Sequence, residues 1–88
     1  MSGRLPHPTN EMKVTVLTFA QTRTQLGFSE KALECEPTET PRQILQRIAP
    51  QFIPGKSVRV AINQEYSDWD KPIGNANEIA VIPPVSGG

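Results

Sequence analysis

Two short stretches, one near each end of the chain, carry apolar side chains on both faces of a strand. The first is Lys13 to Phe19, Lys-Val-Thr-Val-Leu-Thr-Phe. It is rich in β-branched and aromatic residues, which suit a pleated backbone. Val14 and Val16 fall on one face, Leu17 and Phe19 on the other. The second is Ile79 to Ile82, with Ile79 and Val81 on one face and Ala80 and Ile82 on the other. Strands apolar on both sides belong in the middle of a sheet, so the two are expected to be central and adjacent. A chain of 88 residues forms one domain and buries roughly 60–65% of its unfolded surface. That is enough to cover one side of a sheet well. The second face, which carries Phe19, has two readings: a contact surface, or packing of Phe19 under a neighbouring loop.

The segments between these strands complete the architecture. Residues 1–11 contain Gly3, Pro6 and Pro8 without periodicity and read as a flexible leader. Ala20 to Leu26 is helix-competent and closes on Gly27, a residue suited to a left-handed cap. Lys31 to Glu36 reads as an edge strand, with Leu33 and Cys35 inward and its glutamates in water. Thr40-Pro41-Arg42-Gln43 is the clearest helix start in the chain. Thr40 is the cap, Pro41 takes the first helical position, and Gln43 reaches back. Ile44, Leu45, Ile48, Ala49 and Phe52 form one apolar stripe, which Ile53 is expected to extend through an irregular turn after Pro50. If that stripe is the core face, Ile48→Ala costs ~2–5 kcal/mol. Ser57 to Ile62 predicts a strand with Val58, Val60 and Ile62 inward and Arg59 and Ala61 outward. Asn63-Gln64 suits a tight turn, and Glu65-Tyr66 starts a short return strand. Trp69 and Ile73, in the polar loop 68–78, are expected to form a satellite cluster under it. The order β-α-β-α-β-β-β predicts an α+β domain, a mixed sheet with one main helix across it. With the first and last strands central, this is the β-grasp, or ubiquitin-like, arrangement. Its boundaries are a leader at 1–11, a domain at 12–82 and an extended tail at 83–88.

Composition removes several classes of function. Lys plus Arg equals Asp plus Glu, nine of each, which disfavours nucleic acid and anionic membranes as partners. No apolar run approaches the ~20 residues of a membrane span, and residues 1–11 lack the apolar core of a signal peptide. The single cysteine, Cys35, has no internal disulfide partner and reads as a small buried apolar residue. These features point to the cytoplasm. His7, the only histidine, lacks a second ligand nearby, so no metal site is expected. Asp68 and Asp70 read as turn formers, since no base or ligand pattern accompanies them. No nucleophile with a base and no phosphate loop is present, so no autonomous catalysis is expected.

The remaining candidate for chemistry is the end of the chain, Pro83-Pro84-Val85-Ser86-Gly87-Gly88. Two prolines stop the last strand, because proline has no N–H for the ladder. The glycines pack nothing and add chain entropy. They present the Gly88 carboxylate on a thin, unhindered arm that can enter another protein's active site. A bare carboxylate is a poor electrophile. Once activated by another enzyme, a glycine carbonyl has no side chain to impede attack.

From Met12 to Gly88 the chain resembles the small subunit of molybdopterin synthase, the MoaD-type sulfur carrier proteins. The matching segments run from Lys13-Val14 to Phe19-Ala20-Gln21 with Arg23 and Gly27, then Ala61-Ile62-Asn63-Gln64, and finally Glu78 through Gly88. The Pro-Pro-Val-Ser-Gly-Gly ending is the most specific of them. The resemblance implies adenylation of the Gly88 carboxylate by a ubiquitin-activating-type adenylyltransferase, with ATP used by that partner and no cofactor bound here. A sulfur donor enzyme then makes a thiocarboxylate. The tail (Pro84, Val85, Ser86, Gly87) carries it into the large synthase subunit, where the sulfur passes to a cyclic pyranopterin. A two-plus-two heterotetramer is also implied. By position, Phe19, Tyr66 and Ile82 match the family's apolar contact residues, and Arg23 matches a further partner-binding position. The chain is thus expected to be a non-catalytic, sulfur-donating subunit. Three departures stand out: the residues before Met12, Thr24 in place of a usual acidic residue, and Asn75-Ala76-Asn77-Glu78 where the family has Asp-Gly-Asp-Glu. The last removes a glycine from the turn before the final strand.

Two other readings use the same residues. A ubiquitin-like modifier, or a sulfur carrier for thiamine or tRNA thiolation, shares the activation chemistry. A plain β-grasp interaction domain would carry an incidental Gly-Gly.

Overall fold

The computed structural model describes residues 12–84. The expected leader at 1–11 and the tail residues Val85, Ser86, Gly87 and Gly88 lie outside the described residues. The elements in order are β1 (Met12–Thr18), α1 (Gln21–Leu26), β2 (Glu30–Cys35), α2 (Pro41–Ile48), β3 (Arg59–Ile62), β4 (Glu65–Ser67) and β5 (Glu78–Ile82). They build one five-stranded sheet in the order β2-β1-β5-β3-β4. β1 and β5 pair in parallel, Val16 opposite Ile79 and Thr18 opposite Val81. The other neighbours are antiparallel. The doubly apolar strands are therefore adjacent and near the centre, and the topology is that of a ubiquitin-like β-grasp.

One face of the sheet is the core. Val14 and Val16 from β1, Val60 from β3, and Ile79 and Val81 from β5 are fully buried. Ile44, Leu45 and Ala49 of the α2 stripe join the same buried cluster, which is how an amphipathic helix gains its stability. Ile48 is only half-buried at its edge, so truncating it removes less buried surface than the stripe suggested. The start of α2 matches its sequence signature. The Thr40 hydroxyl accepts from the Gln43 N–H at 3.2 Å. The Gln43 carbonyl oxygen of the side chain accepts from the Thr40 N–H at 3.0 Å. Ala49 closes the helix one residue before Pro50, donating to the Leu45 carbonyl at 2.8 Å.

Three expectations require correction. Ile53 does not extend the stripe: Phe52 is buried, but Ile53 is 81% exposed. The turn after Pro50 changes the direction of the chain, and helical periodicity no longer governs which side chain faces in. β3 begins at Arg59, not Ser57; Ser57 belongs to a turn, and the Val58 N–H donates to the Gly55 carbonyl at 3.2 Å. Trp69 and Ile73 are not a satellite. Ile73 is buried in the main cluster, and Trp69 packs against it. The reason is a set of long-range bonds that fasten the loop to the approach to α2. Arg42 N donates to Trp69 O at 3.0 Å, Ile73 N to Glu39 O at 2.9 Å and Gly74 N to Pro37 O at 3.0 Å. The indole N–H of Trp69 donates to the Val58 carbonyl at 3.0 Å.

The turn before β5 forms without the family's glycine. Ala76 takes an ordinary negative φ, and its methyl is buried in the core. Asn63 supplies the order instead. It sits at φ 51° beside Gln64 at φ 72°, the mirror-image turn that suits hairpins. Its side-chain oxygen accepts from the Asn77 N–H at 2.8 Å and the Glu78 N–H at 3.1 Å. The β3–β4 turn therefore holds the entrance of β5, the strand that leads to the tail.

Candidate docking face and tail exit

The face of the sheet opposite the core is open. Register places Leu17 of β1 opposite Ala80 of β5, Ala80 opposite Ala61 of β3, and Ala61 opposite Tyr66 of β4. Two alanines thus stand in the middle of the row, with Leu17 and Tyr66 at its sides. Small residues between large ones leave a hollow. Phe19 and Ile82 form another part of its wall, with Gln64 and Glu78 also lining it, and the shallow depression holds 480 Å³. Ala61, although it points to this side, is only 6% exposed, because its neighbours overhang it. Phe19 is 43% exposed and Tyr66 65%. Phe19 does not lie buried under a loop, so the reading of this face as open is the one observed.

Local geometry explains why Phe19 stands out from the sheet. Immediately after it, Ala20 adopts φ 50°, ψ −121°, a conformation that favours glycine at the first central position of a tight turn. The Thr22 N–H donates back to the Phe19 carbonyl at 3.0 Å. The Thr22 side chain, fully buried, braces the same turn. Its hydroxyl accepts from the Phe19 N–H at 2.9 Å and lies within donating distance of two carbonyls, Phe19 at 2.8 Å and Val81 at 3.0 Å. One hydroxyl proton serves one of these carbonyls at a time. This residue therefore ties the start of α1 to the last turns of β5, beside the exit of the chain. The residue was not singled out in the sequence, since a helical threonine gives no sign of a partner 59 positions away.

Ile82 is half-buried, Pro83 follows half-buried, and Pro84 is exposed. The last strand thus ends at the prolines and the chain leaves at the end of the sheet that carries Phe19. Arg59 pairs with Ile82 across the β3–β5 ladder, and its guanidinium lies 4.5 Å from the centre of the Tyr66 ring. Phe19, Tyr66 and Ile82 are therefore brought together around one depression. Arg23 is not among them. It is exposed on α1, and its carbonyl accepts the capping N–H of Gly27 at 2.9 Å. Pro84 lines a separate groove with Gln21, Gln25, Ile53 and Lys56.

Other candidate groups have structural surroundings. Asp70 is held by Arg42 at 2.7 Å, which lowers its carboxyl below the usual range through that hydrogen bond and charge. Both groups are exposed, so the pair is screened by solvent. Cys35 is buried, and burial pushes its thiol up, away from the reactive thiolate. Among the described residues, no three His, Cys, Asp or Glu side chains gather as a metal site, and no helix is long and apolar enough to cross a membrane.

A model described as the ThiS family matches residues 16–88. The chain belongs to the ThiS family. This ThiS-family chain is 30% identical over 84 residues to the molybdopterin synthase sulfur carrier subunit of Arabidopsis thaliana, with 91% of this chain and 88% of the plant protein covered. Among solved structures it is similar to the molybdopterin converting factor subunit 1 of Pyrococcus furiosus, at 26% identity and a TM-score of 0.65, covering 83% of this chain and 98% of the other. It is also similar to SAMP1 of Haloferax volcanii, a small archaeal modifier protein, at a TM-score of 0.69 and 19% identity, covering 88% and 100%. At that identity the likeness concerns the fold. The ThiS-family fold thus appears both in sulfur carriers and in modifiers, and the MoaD-type resemblance of this chain extends over most of its length.

Proposed function

We propose that this chain is the sulfur carrier of a molybdopterin synthase and its small subunit. The observation that carries the reading is geometric. A segment ending in Gly-Gly leaves β5 at the end of a sheet whose exposed face holds an apolar depression between Phe19, Tyr66 and Ile82. The likeness to the Arabidopsis sulfur carrier subunit supports it.

The chemistry is confined to Gly88. Its carboxylate attacks the α-phosphate of ATP in an activating enzyme, releasing pyrophosphate and forming an acyl-adenylate. A persulfide on a donor enzyme displaces AMP at the glycine carbonyl, and a second thiol reduces the resulting acyl disulfide, leaving a thiocarboxylate and a disulfide. The tail then enters the large synthase subunit, where the thiocarboxylate sulfur bonds to a cyclic pyranopterin and water cleaves the resulting thioester, returning the Gly88 carboxylate. The body contributes by docking. Apolar groups of the partner filling the depression gain roughly 25 cal/mol per Å² removed from water. Docking at the root of the tail also fixes where Gly88 reaches, which converts an intermolecular search into a tethered one. Phe19, Tyr66 and Ile82 are assigned to this docking. Arg23, outside the depression, is assigned a contact at the rim of the same partner.

The deciding experiment is intact mass after incubation with an activating enzyme, ATP and a sulfur donor. Replacement of one oxygen by sulfur at the C-terminus, followed by pterin sulfuration with a large subunit, is the expected result. Conjugates on protein lysines without a pterin product would identify a modifier instead. No ATP-dependent change would remove both readings.

A further inference from the structure

Beside the apolar depression lies a second groove, of 520 Å³, lined in part by Lys56, Arg59, Ser67, Asp68, Trp69 and Lys71. Three of these side chains are cations and one is an anion. Among the described residues none of the three cations makes an ion pair; the two pairs present are Arg42 with Asp70 and Arg47 with Glu39. This local excess stands out in a chain whose formal net charge is zero. The opposing excess lies elsewhere. Glu30, Glu34 and Glu36, with Lys31 among them, lie on and just after β2, at the far edge of the sheet from β4.

The groove is continuous with the tail root. It shares Tyr66 with the apolar depression and Lys56 and Val58 with the groove that Pro83 and Pro84 line. Arg59 stands directly across from Ile82, the last residue before the prolines. Its guanidinium lies on the Tyr66 ring, so its apolar contact and its charge are held at the border between the two surfaces. The aromatic walls are also partly occupied: the Trp69 indole N–H is engaged by the Val58 carbonyl and is unavailable to a ligand.

We infer that the groove of Lys56, Arg59 and Lys71 is a docking surface for an acidic segment of the protein that receives the tail. The assignment rests on the functional reading above for the identity of that protein, and on charge complementarity and continuity with the tail root for the surface itself. Unpaired cations at a rim act chiefly on encounter. They attract a partner of opposite sign over a Debye length of about 10 Å at 0.1 M salt, and they raise the association rate more than they slow dissociation. Here they would orient the collision so that the root of the tail faces the partner as the two surfaces meet.

Lys56→Glu with Lys71→Glu tests the surface without touching the apolar depression or the Arg59–Tyr66 stack. Both lysines are exposed, and an unchanged melting curve verifies the fold. Association with a large synthase subunit, followed by stopped flow between about 50 and about 500 mM NaCl, is expected to be on the order of 10-fold slower for the double variant at low salt. Its salt dependence is expected to flatten while dissociation stays the same. Wild-type rate and salt slope in the double variant would overturn the inference. A second arm needs no synthase. A hexaglutamate peptide is titrated against the full chain by amide chemical shifts. Salt-sensitive shifts at Lys56, Arg59 and Lys71, absent in the double variant, support the surface. Equal shifts at Lys13 and Lys31, or none at the groove, overturn it. ATP moving the same amides at lower concentration than the peptide would also overturn it, in favour of a small anion site. Failure of the wild-type chain to assemble with any large subunit would count against the functional reading alone, because the peptide titration still decides the surface.

Discussion

Ile79 and Ala80 are neighbours in β5 and lead opposite lives. Ile79 faces α2 and is fully buried; Ala80 faces outward and forms the floor of the depression. The same alternation runs through β1 and β3. Val14, Val16 and Val60 are sealed in the core, whereas Leu17 and Ala61 border an apolar hollow that nothing in the described chain fills. The core face is branched and bulky because it must be filled to crystal-like density. The outer face alternates large and small because it must leave room. The difference teaches that apolar character alone does not distinguish packing from docking. Side-chain volume at the centre of the sheet does.

The comparison can be broken most forcefully on its core side. Ile79→Ala is expected to destabilise the fold by about 2–5 kcal/mol, since it removes a fully buried branched chain and leaves a cavity; the urea midpoint is the readout. Ala80→Arg, one residue on, should change stability by under about 1 kcal/mol. It should weaken assembly with the large synthase subunit by about 2 kcal/mol, some 30-fold, by filling the depression with a charged chain; calorimetric titration measures it. Equal effects of the two substitutions on stability would refute the distinction between the faces.

Two smaller predictions concern the corner where the faces meet. Thr22→Val keeps the shape of the side chain but strands the Phe19 N–H and a carbonyl, at a cost of about 1–3 kcal/mol. The Phe19 amide, whose N–H donates to the Thr22 hydroxyl, should lose hydrogen-exchange protection before the rest of the sheet does. Ala20→Gly relieves a positive φ at a position with glycine-like geometry, so a gain of about 1 kcal/mol is expected. If thermal melting falls instead, the turn after Phe19 is not strained in the way its dihedrals imply.

Several features of the molecule were legible from residues alone. Apolar faces on both sides of Lys13–Phe19 and Ile79–Ile82 required central strands, and these strands pair. Thr40, Pro41 and Gln43 announced the start of α2, because capping is a local interaction among residues three apart. Asn63-Gln64 announced a turn for the same reason. The failures share a cause. Ile53, Trp69 and Ile73 lie in irregular segments, where no period relates sequence position to direction. The burial of Ile73 and the half-burial of Trp69 depend on bonds to other loops, Ile73 to Glu39 and Trp69 to Val58. Ala76 shows the converse: a departure from the family's glycine proved compatible because its φ is ordinary and its methyl found a place in the core.

For the candidate site, the residues alone pointed to the tail and put Phe19 and Ile82 on a second apolar face, and the family resemblance added Tyr66. Strand alternation sorts side chains by face and is a property of the chain itself, so the sequence determined that these strands had a second apolar side. Which residues became neighbours on that side was a matter of register. Only the tertiary structure set Leu17, Ala80, Ala61 and Tyr66 in one row and brought Arg59 against the root of the tail. The physical reason is that register is selected by the packing of the opposite, buried face. A one-residue slip would expose Val16, Val60, Ile79 and Val81 to water, and it is this penalty that holds the depression in shape.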